Sequence, residues 1–516
     1  MVTYKTYDDY FTDFGVPTNK DSFAGTTITG DGSKQNPFTI NSTSDFYYIT
    51  NYYIDGKYIS INCDIILNDE FFDKEGNPSG GDGVIYNWSP RVLYGWQTSI
   101  LGNGHTIYGF YCDENTALMA GIFHNMTLNV VRDLNFENVF VKDEENSFFG
   151  LIARKIKTLE NCKIKSGTIK GKGYIGGFCS TIIGQANNCE NYATLYASEA
   201  RCGGIASCVE TANSKVTNCK NFGDIYGYSY VGGIVGYTDQ SAISNSENYA
   251  QIYGENFTAG GVVGGVNSTK LSSCLNYGQV FAKQGNIGGI VGFVGTATMF
   301  DNCSNFGFVE KGIYLSVGQI MGCSISYSTK IDNLIFLRNC KAKSSCGKPL
   351  VGQVQTNASR IVDLRIENCE MTFENLEEGL TSPILYSSNN ATNKVSIDNV
   401  VINYVGRNFT SPLINTANGQ CKIKNVLYKI NCEAVGINNF ISKSGEKSNL
   451  YCDGIIVEIN GGATSKKSYY GTDFSAFYCD WKSGKIGLKA LSGKGFYQGN
   501  VTEELLKQKG FVRKAI

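Results

Sequence analysis

The side chains that most often catalyse reactions or bind metals are scarce in this chain. Only two histidines occur among its 516 residues, His105 and His124. Because histidine is a common general base and metal ligand, this scarcity leaves little for either role. His105 is a candidate general base in the run Gly102-Asn-Gly-His-Thr-Ile107. His124 follows a strand-like Gly-Ile-Phe run, and no acid or nucleophile is tied to it by spacing, so we interpret it as structural.

The acidic residues offer two further kinds of site. Asp31, Asp82 and Asp113 lie in turns rich in Gly and Asn that could hold Ca²⁺, but none follows the order of an EF-hand loop. The run Asp143-Glu144-Glu145 could supply the paired carboxylates of a glycosidase, which must lie about 5–10 Å apart across a groove. Solvated turns and a charged loop tip are the simpler interpretations. We therefore predict no catalytic, cofactor-binding or metal-binding residues, and no cofactor.

Composition restricts both the partners and the fold class. Lys+Arg 45 against Asp+Glu 46 gives a net charge of −1, which provides no electrostatic basis for binding nucleic acid or an anionic membrane. No stretch approaches the roughly 18 apolar residues of a membrane span. Gly 60 and Tyr 32, with only 18% charged residues, favour a β architecture with many turns over a helical bundle.

The cysteines and the N-terminus predict a reducing compartment. The 18 cysteines are too dilute for a disulfide scaffold, and they avoid the CxxC spacing of zinc sites. The first residues lack a basic region followed by an apolar run, so we expect no signal peptide. We therefore expect the chain to be made in a cytosol, with its cysteines as free thiols.

Two sequence markers repeat in phase along the middle of the chain. Paired glycines begin at positions 176, 203, 232, 260 and 288, in steps of 27, 29, 28 and 28 residues. The second marker, Asn-Cys-x-Asn-Tyr/Phe-Gly in its fullest form, begins at positions 188, 218, 245 and 302, and a fifth copy begins with Ser273. Weaker copies extend the repeat over about residues 118–430. Because two independent markers share one period, each period is one structural unit.

A repeat of this length, made of short apolar runs, predicts a parallel β-helix. Each run is too short for a helix and is rich in β-forming residues. Stacked coils place equivalent residues roughly 4.8 Å apart. Stacked Asn residues tolerate left-handed turns and bond through their amides, and stacked Cys residues pack inward as small apolar side chains. The residues predicted to form these ladders are Asn161, Asn188, Asn218, Asn245, Asn302, Asn368, Cys189, Cys219, Cys274 and Cys303.

The repeat divides the chain into five segments. We predict an N-terminal arm or attachment segment at 1–29, and an N-terminal cap with the first coils at 30–117. The repetitive β-helix follows at 118–430, and irregular C-terminal coils at 431–499. Residues 500–516 are predicted as a capping helix and tail, because Asn500-Val-Thr-Glu503 has the form of a capping box and Gly510 ends the helical run.

The order of motifs resembles a known family. Gly30-Asp-Gly-Ser-Lys-Gln-Asn-Pro-Phe-Thr-Ile40, a short helix, an Asp-Ile strand and then Gly102-Asn-Gly-His-Thr-Ile107 resemble the opening coils of the GLUG-repeat adhesin-like proteins. The Val-Gly-Gly-Ile-Val-Gly and Asn-Cys-x-Asn-Tyr/Phe-Gly coils match that family too. The resemblance covers residues 30–310 well and 310–430 loosely. It implies a right-handed, all-β parallel β-helix without catalytic residues, and it places His105 in a structural turn.

Three functions remain open at this point. The first is a structural or adhesive fibre or tailspike of a bacteriophage virion, made in the host cytoplasm, that presents loops for attachment to a host-surface glycan. Such a fibre is expected to be a homotrimer joined to other virion proteins through one terminus, because three parallel copies raise the effective affinity. The second is a polysaccharide-degrading enzyme on the same scaffold, and the third is a bacterial cell-surface adhesin whose leader was removed. Tyrosines such as those of Tyr226-Gly-Tyr228-Ser-Tyr230 could stack on sugars or pack between coils.

Overall fold

The chain folds as a parallel β-solenoid, seen here in a computed structural model. The structure describes residues 2–18, 23–51, 54–79, 83–88, 97–113, 121–123, 127–145, 147–310, 316–326, 332–356, 361–374, 382–388, 393–409, 414–417, 420–435, 441–444, 449–460, 478–481 and 484–487.

Two compact units make up the fold. The first comprises Met1–Phe257 with Val262–Gly264, and the second comprises Thr258–Gly261 with Gly265–Ile516. In each unit, strands of successive coils pair in parallel and form columns. We number the columns I to V in the order in which the chain passes through them, starting after each pair of glycines.

The first unit contains all five columns. Ala153–Glu160 and Cys179–Asn187 are long enough to pair in both column I and column II. The strands are Ala153–Glu160, Cys179–Asn187, Ala206–Val209 and Val235–Asp239 in column I; Phe38–Ile40, Tyr58–Ile61, Ser99–Leu101, Thr127–Arg132, Ala153–Glu160, Cys179–Asn187, Lys215–Thr217 and Ala242–Ser244 in column II; Ile65–Ile66, Thr106–Tyr108, Asn135–Glu137, Lys163–Ile164, Glu190–Asn191, Lys220–Asn221 and Glu247–Asn248 in column III; Tyr111–Asp113, Val139–Asp143, Gly167–Gly171, Thr194–Ala197, Ile225–Gly227 and Ile252–Gly254 in column IV; and Phe148–Gly150, Tyr174–Gly176, Cys202–Gly203 and Val231–Gly232 in column V.

The second unit repeats the arrangement with longer strands toward its end. Val263–Asn267 spans the boundary between the units. The strands are Val263–Asn267, Val291–Val294, Met321–Ser326, Val351–Thr356, Leu385–Ser388, Ile414–Ala417 and Ile441–Ser444 in column I; Lys270–Ser272, Thr298–Asp301, Asp332–Arg338, Ile361–Glu367, Lys394–Phe409, Gln420–Val435 and Asn449–Asn460 in column II; Leu275–Asn276, Ser304–Asn305, Lys341–Ser344 and Glu370–Glu374 in column III; Val280–Ala282 in column IV; Thr258–Gly260, Asn286–Gly288 and Val317–Gly318 in column V; and an antiparallel pair, Tyr478–Trp481 with Gly484–Gly487.

Stacks of apolar side chains fill the interior of each unit. In column II of the second unit, Leu271, Phe300 and Leu337 lie in register on successive coils, and all three are fully buried. Side chains of a strand alternate between its two faces, so this single inward position per short strand suffices to build a continuous core. The residues on either side of it face outward and are available for the surface.

An aromatic cluster covers the N-terminal coils. Helix α1 (Tyr7–Asp13) begins with a capping box between Thr6 and Asp9, and helix α2 (Thr43–Ile49) begins with the Ser42 hydroxyl, which accepts from the backbone N–H of Asp45. The ring of Tyr10 stacks on that of Tyr47 with centroids 3.6 Å apart. Strand Thr3–Lys5 pairs with Val84–Tyr86. Part of the predicted arm at 1–29 is thus packed against the first coils.

These observations confirm the predicted all-β parallel β-helix. Within the segment 431–499, strands Ile441–Ser444 and Asn449–Asn460 continue the parallel pairing. The predicted capping helix at 500–516 lies outside the described residues. Among the residues that the structure does describe, no helix is both long and apolar enough to cross a membrane.

Candidate binding site

The predicted Asn ladder lies on the outer surface, at one turn of each coil. Asn161, Asn188 and Asn218 have φ of 52°, 53° and 54°, a left-handed conformation that Asn tolerates better than most residues. The amide of Asn188 donates to Oδ1 of Asn161 at 2.9 Å, whereas that of Asn218 donates to Oδ1 of Asn187 at 3.0 Å. Each amide thereby ties its turn to the preceding coil. The remaining predicted members, Asn245, Asn302 and Asn368, have φ of 50°, 55° and 52°.

The predicted Cys column faces inward. Cys189, Cys219, Cys274 and Cys303 are fully buried free thiols. Each thiol donates to the backbone carbonyl two residues earlier, as Cys189 does to Asn187 at 3.3 Å. Burial raises the pKa of Cys189 well above its usual value, so the thiol stays neutral. A neutral, buried thiol is unreactive, which makes this column part of the core.

A second Asn ladder lies inside the solenoid and was not predicted. Its members are the second Asn of the repeated Asn-Cys-x-Asn motif, and all are fully buried. In the first unit, Asn191 donates to Oδ1 of Asn221 at 2.8 Å, and Asn221 donates to Oδ1 of Asn248 at 2.9 Å. Every amide also donates to the carbonyl two residues later, as Asn221 does to Gly223 at 2.9 Å. In the second unit, Asn276 donates to Oδ1 of Asn305 at 2.7 Å.

The glycine pairs make room for these buried amides. A Cβ at Gly204 would lie 2.5 Å from Oδ1 of Asn221, and one at Gly289 would lie 2.3 Å from Cγ of Asn305. The two sequence markers therefore keep the same period because the backbone of each glycine pair packs against a buried Asn amide. At position 319 the second glycine is replaced by Gln319, whose Oε1 accepts from Asn305 at 2.7 Å and ends the ladder in polar contact.

The candidate catalytic histidine is held in a surface turn. Nδ1 of His105 lies 3.2 Å from Oδ1 of Asp64, which also accepts from the backbone N–H of Thr106. That backbone N–H is the main reason why the pKa of Asp64 lies below its usual value. Within the described residues no Ser, Thr or Cys side chain is hydrogen-bonded to His105. The side chains of His105 and Asp64 thus form a polar contact that joins two coils. His124 lies outside the described residues.

The acidic candidates also lie in turns. Asp31 accepts from the backbone N–H of Ser33 at 2.8 Å, which lowers its pKa, and Asp113 lies 3.6 Å from Lys142. Asp143 is buried and accepts from the backbone N–H of Glu145 at 3.1 Å, closing the turn that follows its strand. Asp82 lies outside the described residues. Over the part of the chain that is described, no group of three or more His, Cys, Asp or Glu residues could hold a metal ion.

Partly exposed aromatic rings form a row along the first unit. They occupy the position after each buried Asn, and we call Tyr192, Phe222 and Tyr249 the aromatic ridge. Neighbouring rings stack almost in parallel, with centroids 4.4 and 4.8 Å apart and interplanar angles of 11° and 6°. The faces of the rings therefore cover one another. Tyr192 and Tyr249 remain 36% and 41% exposed, and Phe222 between them is half-buried. In the second unit Tyr277 and Phe306 form a similar pair.

Charged side chains flank the aromatic ridge. Lys163 lies 4.6 Å from the centre of the Tyr192 ring and 2.8 Å from Glu190, while Lys220 lies 3.3 Å from Glu247. The hydrogen bond from Lys163 lowers the pKa of Glu190, and the same contact raises the pKa of Lys163. Lysines, which donate hydrogen bonds, and glutamates, which accept them, thus alternate beside the rings of the aromatic ridge.

No protein-family model matches the chain, and no match was found among curated proteins or among solved structures. The likeness to the GLUG-repeat proteins therefore rests on the motifs quoted above.

A second ladder of aromatic rings lies in column IV and is half-buried: the rings of Tyr196 and Tyr226 stack with centroids 4.8 Å apart. These rings pack between coils, which is one of the two roles that the sequence left open. Tyr228 keeps 37% of its surface exposed, and its hydroxyl accepts from Asn256 at 2.8 Å.

Proposed function

We propose that this protein is a non-enzymatic attachment protein that binds a linear glycan along the aromatic ridge. The observation that carries the proposal is the stack of Tyr192, Phe222 and Tyr249 on successive coils, with both tyrosines exposed, beside regularly spaced charged pairs. Contiguous exposed apolar groups with a polar rim mark interaction surfaces. A surface that repeats the same groups at each coil suits a polymer that also repeats.

The geometry favours a polyhydroxylated ligand. An aromatic edge carries a partial positive charge, so ring edges attract hydroxyl and ether oxygens. Glu190 and Glu247 can accept hydrogen bonds from sugar hydroxyls, while Lys163 and Lys220 can donate to them. The stacked rings and paired charges are already held in place by the coils, so little conformational entropy is lost on binding.

A double substitution tests the ridge. We expect Tyr192→Ala with Tyr249→Ala to weaken binding to an array of immobilised polysaccharides by roughly tenfold or more, since two anchoring rings contribute about 0.5–1.5 kcal/mol each. The control is Tyr386→Ala, because Tyr386 is as exposed as Tyr249, at 41%, but belongs to a column I strand of the second unit and is not part of the ridge. Unchanged binding by the double variant, or equal loss in the control, would contradict the proposal. Circular dichroism verifies the fold of each variant.

The finer proposal is a fibre or tailspike of a bacteriophage virion that acts as a homotrimer. It is supported by the resemblance of the repeats to adhesin-like proteins and by the gain in effective affinity that parallel copies give. The virion is the proposed location, with the surface of a bacterial cell as the alternative. Light scattering of the purified protein should give about three times 56.3 kDa. A mass near that of one chain contradicts the trimer, and absence of the protein from purified particles by mass spectrometry contradicts the virion.

A further inference from the structure

One cation on the first unit is surrounded by tyrosine rings and forms no ion pair with a carboxylate of the described residues. Arg201 stands two residues before its glycine pair, at the position where the coils on either side have Tyr174 and Tyr230. Its guanidinium carbon lies 5.1 Å from the centre of the Tyr174 ring and 5.3 Å from that of Tyr230. A third ring, Tyr237 from the adjacent column I, lies at 4.3 Å. We call Arg201 and these three rings the arginine cage.

No carboxylate of the described residues balances the charge of the guanidinium. Its Nη1 donates a hydrogen bond to Sγ of Cys208 at 3.2 Å. Within the described part of the chain, the guanidinium makes no other side-chain hydrogen bond, and no carboxylate lies within 4.0 Å of it. Burial raises the pKa of Cys208 to about 11, so the thiol is neutral near pH 7 and does not balance the charge. Desolvating an unbalanced charge is costly, and cation–π contacts offset only part of that cost.

The remaining donors of Arg201 are placed for a ligand. Nε and Nη2 make no hydrogen bond to the described residues, and Arg201 is only partly buried. These two groups form the side of the guanidinium that binds a carboxylate through two parallel bonds. Tyr230 also has φ of 46°, a strained conformation for an aromatic residue of the kind that clusters at ligand sites.

We propose that the arginine cage binds the carboxylate of a uronic acid in the glycan. This inference rests on the proposed function and adds to the aromatic ridge, which follows column III, a second contact next to column V. It specifies an acidic rather than a neutral polysaccharide. Arg201 holds the carboxylate through Nε and Nη2, and the rings around it exclude water from the contact and supply apolar area to the sugar. Loss of water strengthens the charge-assisted bonds.

The test compares two forms of one probe by isothermal titration calorimetry with the full chain. The probes are trigalacturonate and its trimethyl ester, which has the same sugar backbone without the charge. We expect the wild-type protein to bind the acid roughly tenfold or more tightly than the ester. Arg201→Gln should abolish this difference while binding of the ester is retained, and Arg201→Lys should lose most of it because an ammonium cannot form the paired bonds. Arg132→Gln, at an exposed arginine elsewhere on the first unit, is the control and should behave as wild type.

Three outcomes would overturn the assignment of the arginine cage to a uronic acid. Equal binding of acid and ester by the wild-type protein overturns the cage while leaving the proposed glycan binding intact, and that comparison does not depend on any variant folding. Binding of neither form, together with no binding on the polysaccharide array, overturns both proposals. Displacement of trigalacturonate by poly-glutamate or inorganic sulfate at the same concentration of anionic groups overturns the assignment to a sugar acid and identifies a general anion site.

Discussion

Replacement of Asn221 by alanine is expected to lower the free energy of unfolding by about 3–5 kcal/mol. Asn221 is fully buried and makes three hydrogen bonds: it accepts from Asn191 at 2.8 Å and donates to Asn248 and to the carbonyl of Gly223, both at 2.9 Å. Alanine leaves those partners with a lost bond inside the core, and each such group costs about 1–3 kcal/mol. The measurement is the shift in the midpoint of urea denaturation.

The outer ladder provides the matched control. Asn218 belongs to the same coil and the same sequence motif, but its amide is on the surface and donates to Asn187 at 3.0 Å. Asn218→Ala should therefore cost only about 1–2 kcal/mol, from one hydrogen bond and from the left-handed turn. Asn218→Gly keeps the turn and isolates the hydrogen bond. The internal ladder would be refuted as a major source of stability if the Asn221 variant were no less stable than the Asn218 variant.

Gly232→Ala is expected to destabilise the fold by about 3 kcal/mol or more. Gly232 is the first glycine of its pair, and a Cβ there would lie 2.1 Å from the carbonyl oxygen of Val235 and 2.7 Å from the backbone N of Gly264. Both obstacles are backbone atoms of hydrogen-bonded strands, so neither can move without shifting a coil. Thermal unfolding followed by circular dichroism measures the effect.

The control for that substitution is Gly56→Ala. Gly56 has φ of +66°, and a Cβ there would meet nothing within 4 Å. Alanine at this position should cost about 1–2 kcal/mol, from the left-handed backbone alone. Comparable melting temperatures for the two variants would show that close packing at the glycine pair does not govern stability.

The sequence predicts the repeating architecture well because each coil of a stacked fold needs the same residue types at the same positions, so the sequence repeats with the period of the coils. Cys189 was expected to face inward and is fully buried, and the alternation of side chains then turns Asn191 inward as well. The inward orientation of Asn191 could therefore be predicted from the motif. It was not predicted, because Asn is seldom buried unless neighbouring groups satisfy its hydrogen bonds. The contact between Gly204 and Asn221 required the structure, because it joins different columns.

The surface sites were less predictable because they depend on which residues the coils bring side by side. Asp64 and His105 are 41 residues apart in the chain, yet stacking brings them to 3.2 Å. An arginine at position 201, where neighbouring repeats have tyrosine, was visible as a departure from the pattern. The third ring of its cage comes from Tyr237 on another column, and only the path of the chain around the coil shows that.

The central claim, binding of a glycan without turnover, is tested most directly by one measurement. The purified protein is incubated for a day with the acidic polysaccharide that binds best on the array, and the mixture is passed through size-exclusion chromatography with light scattering. We predict that the polysaccharide keeps its original mass and elutes together with the protein. Elution of shortened chains would show that the protein is a polysaccharide-degrading enzyme, and separate elution of protein and intact polysaccharide would show that it does not bind the glycan.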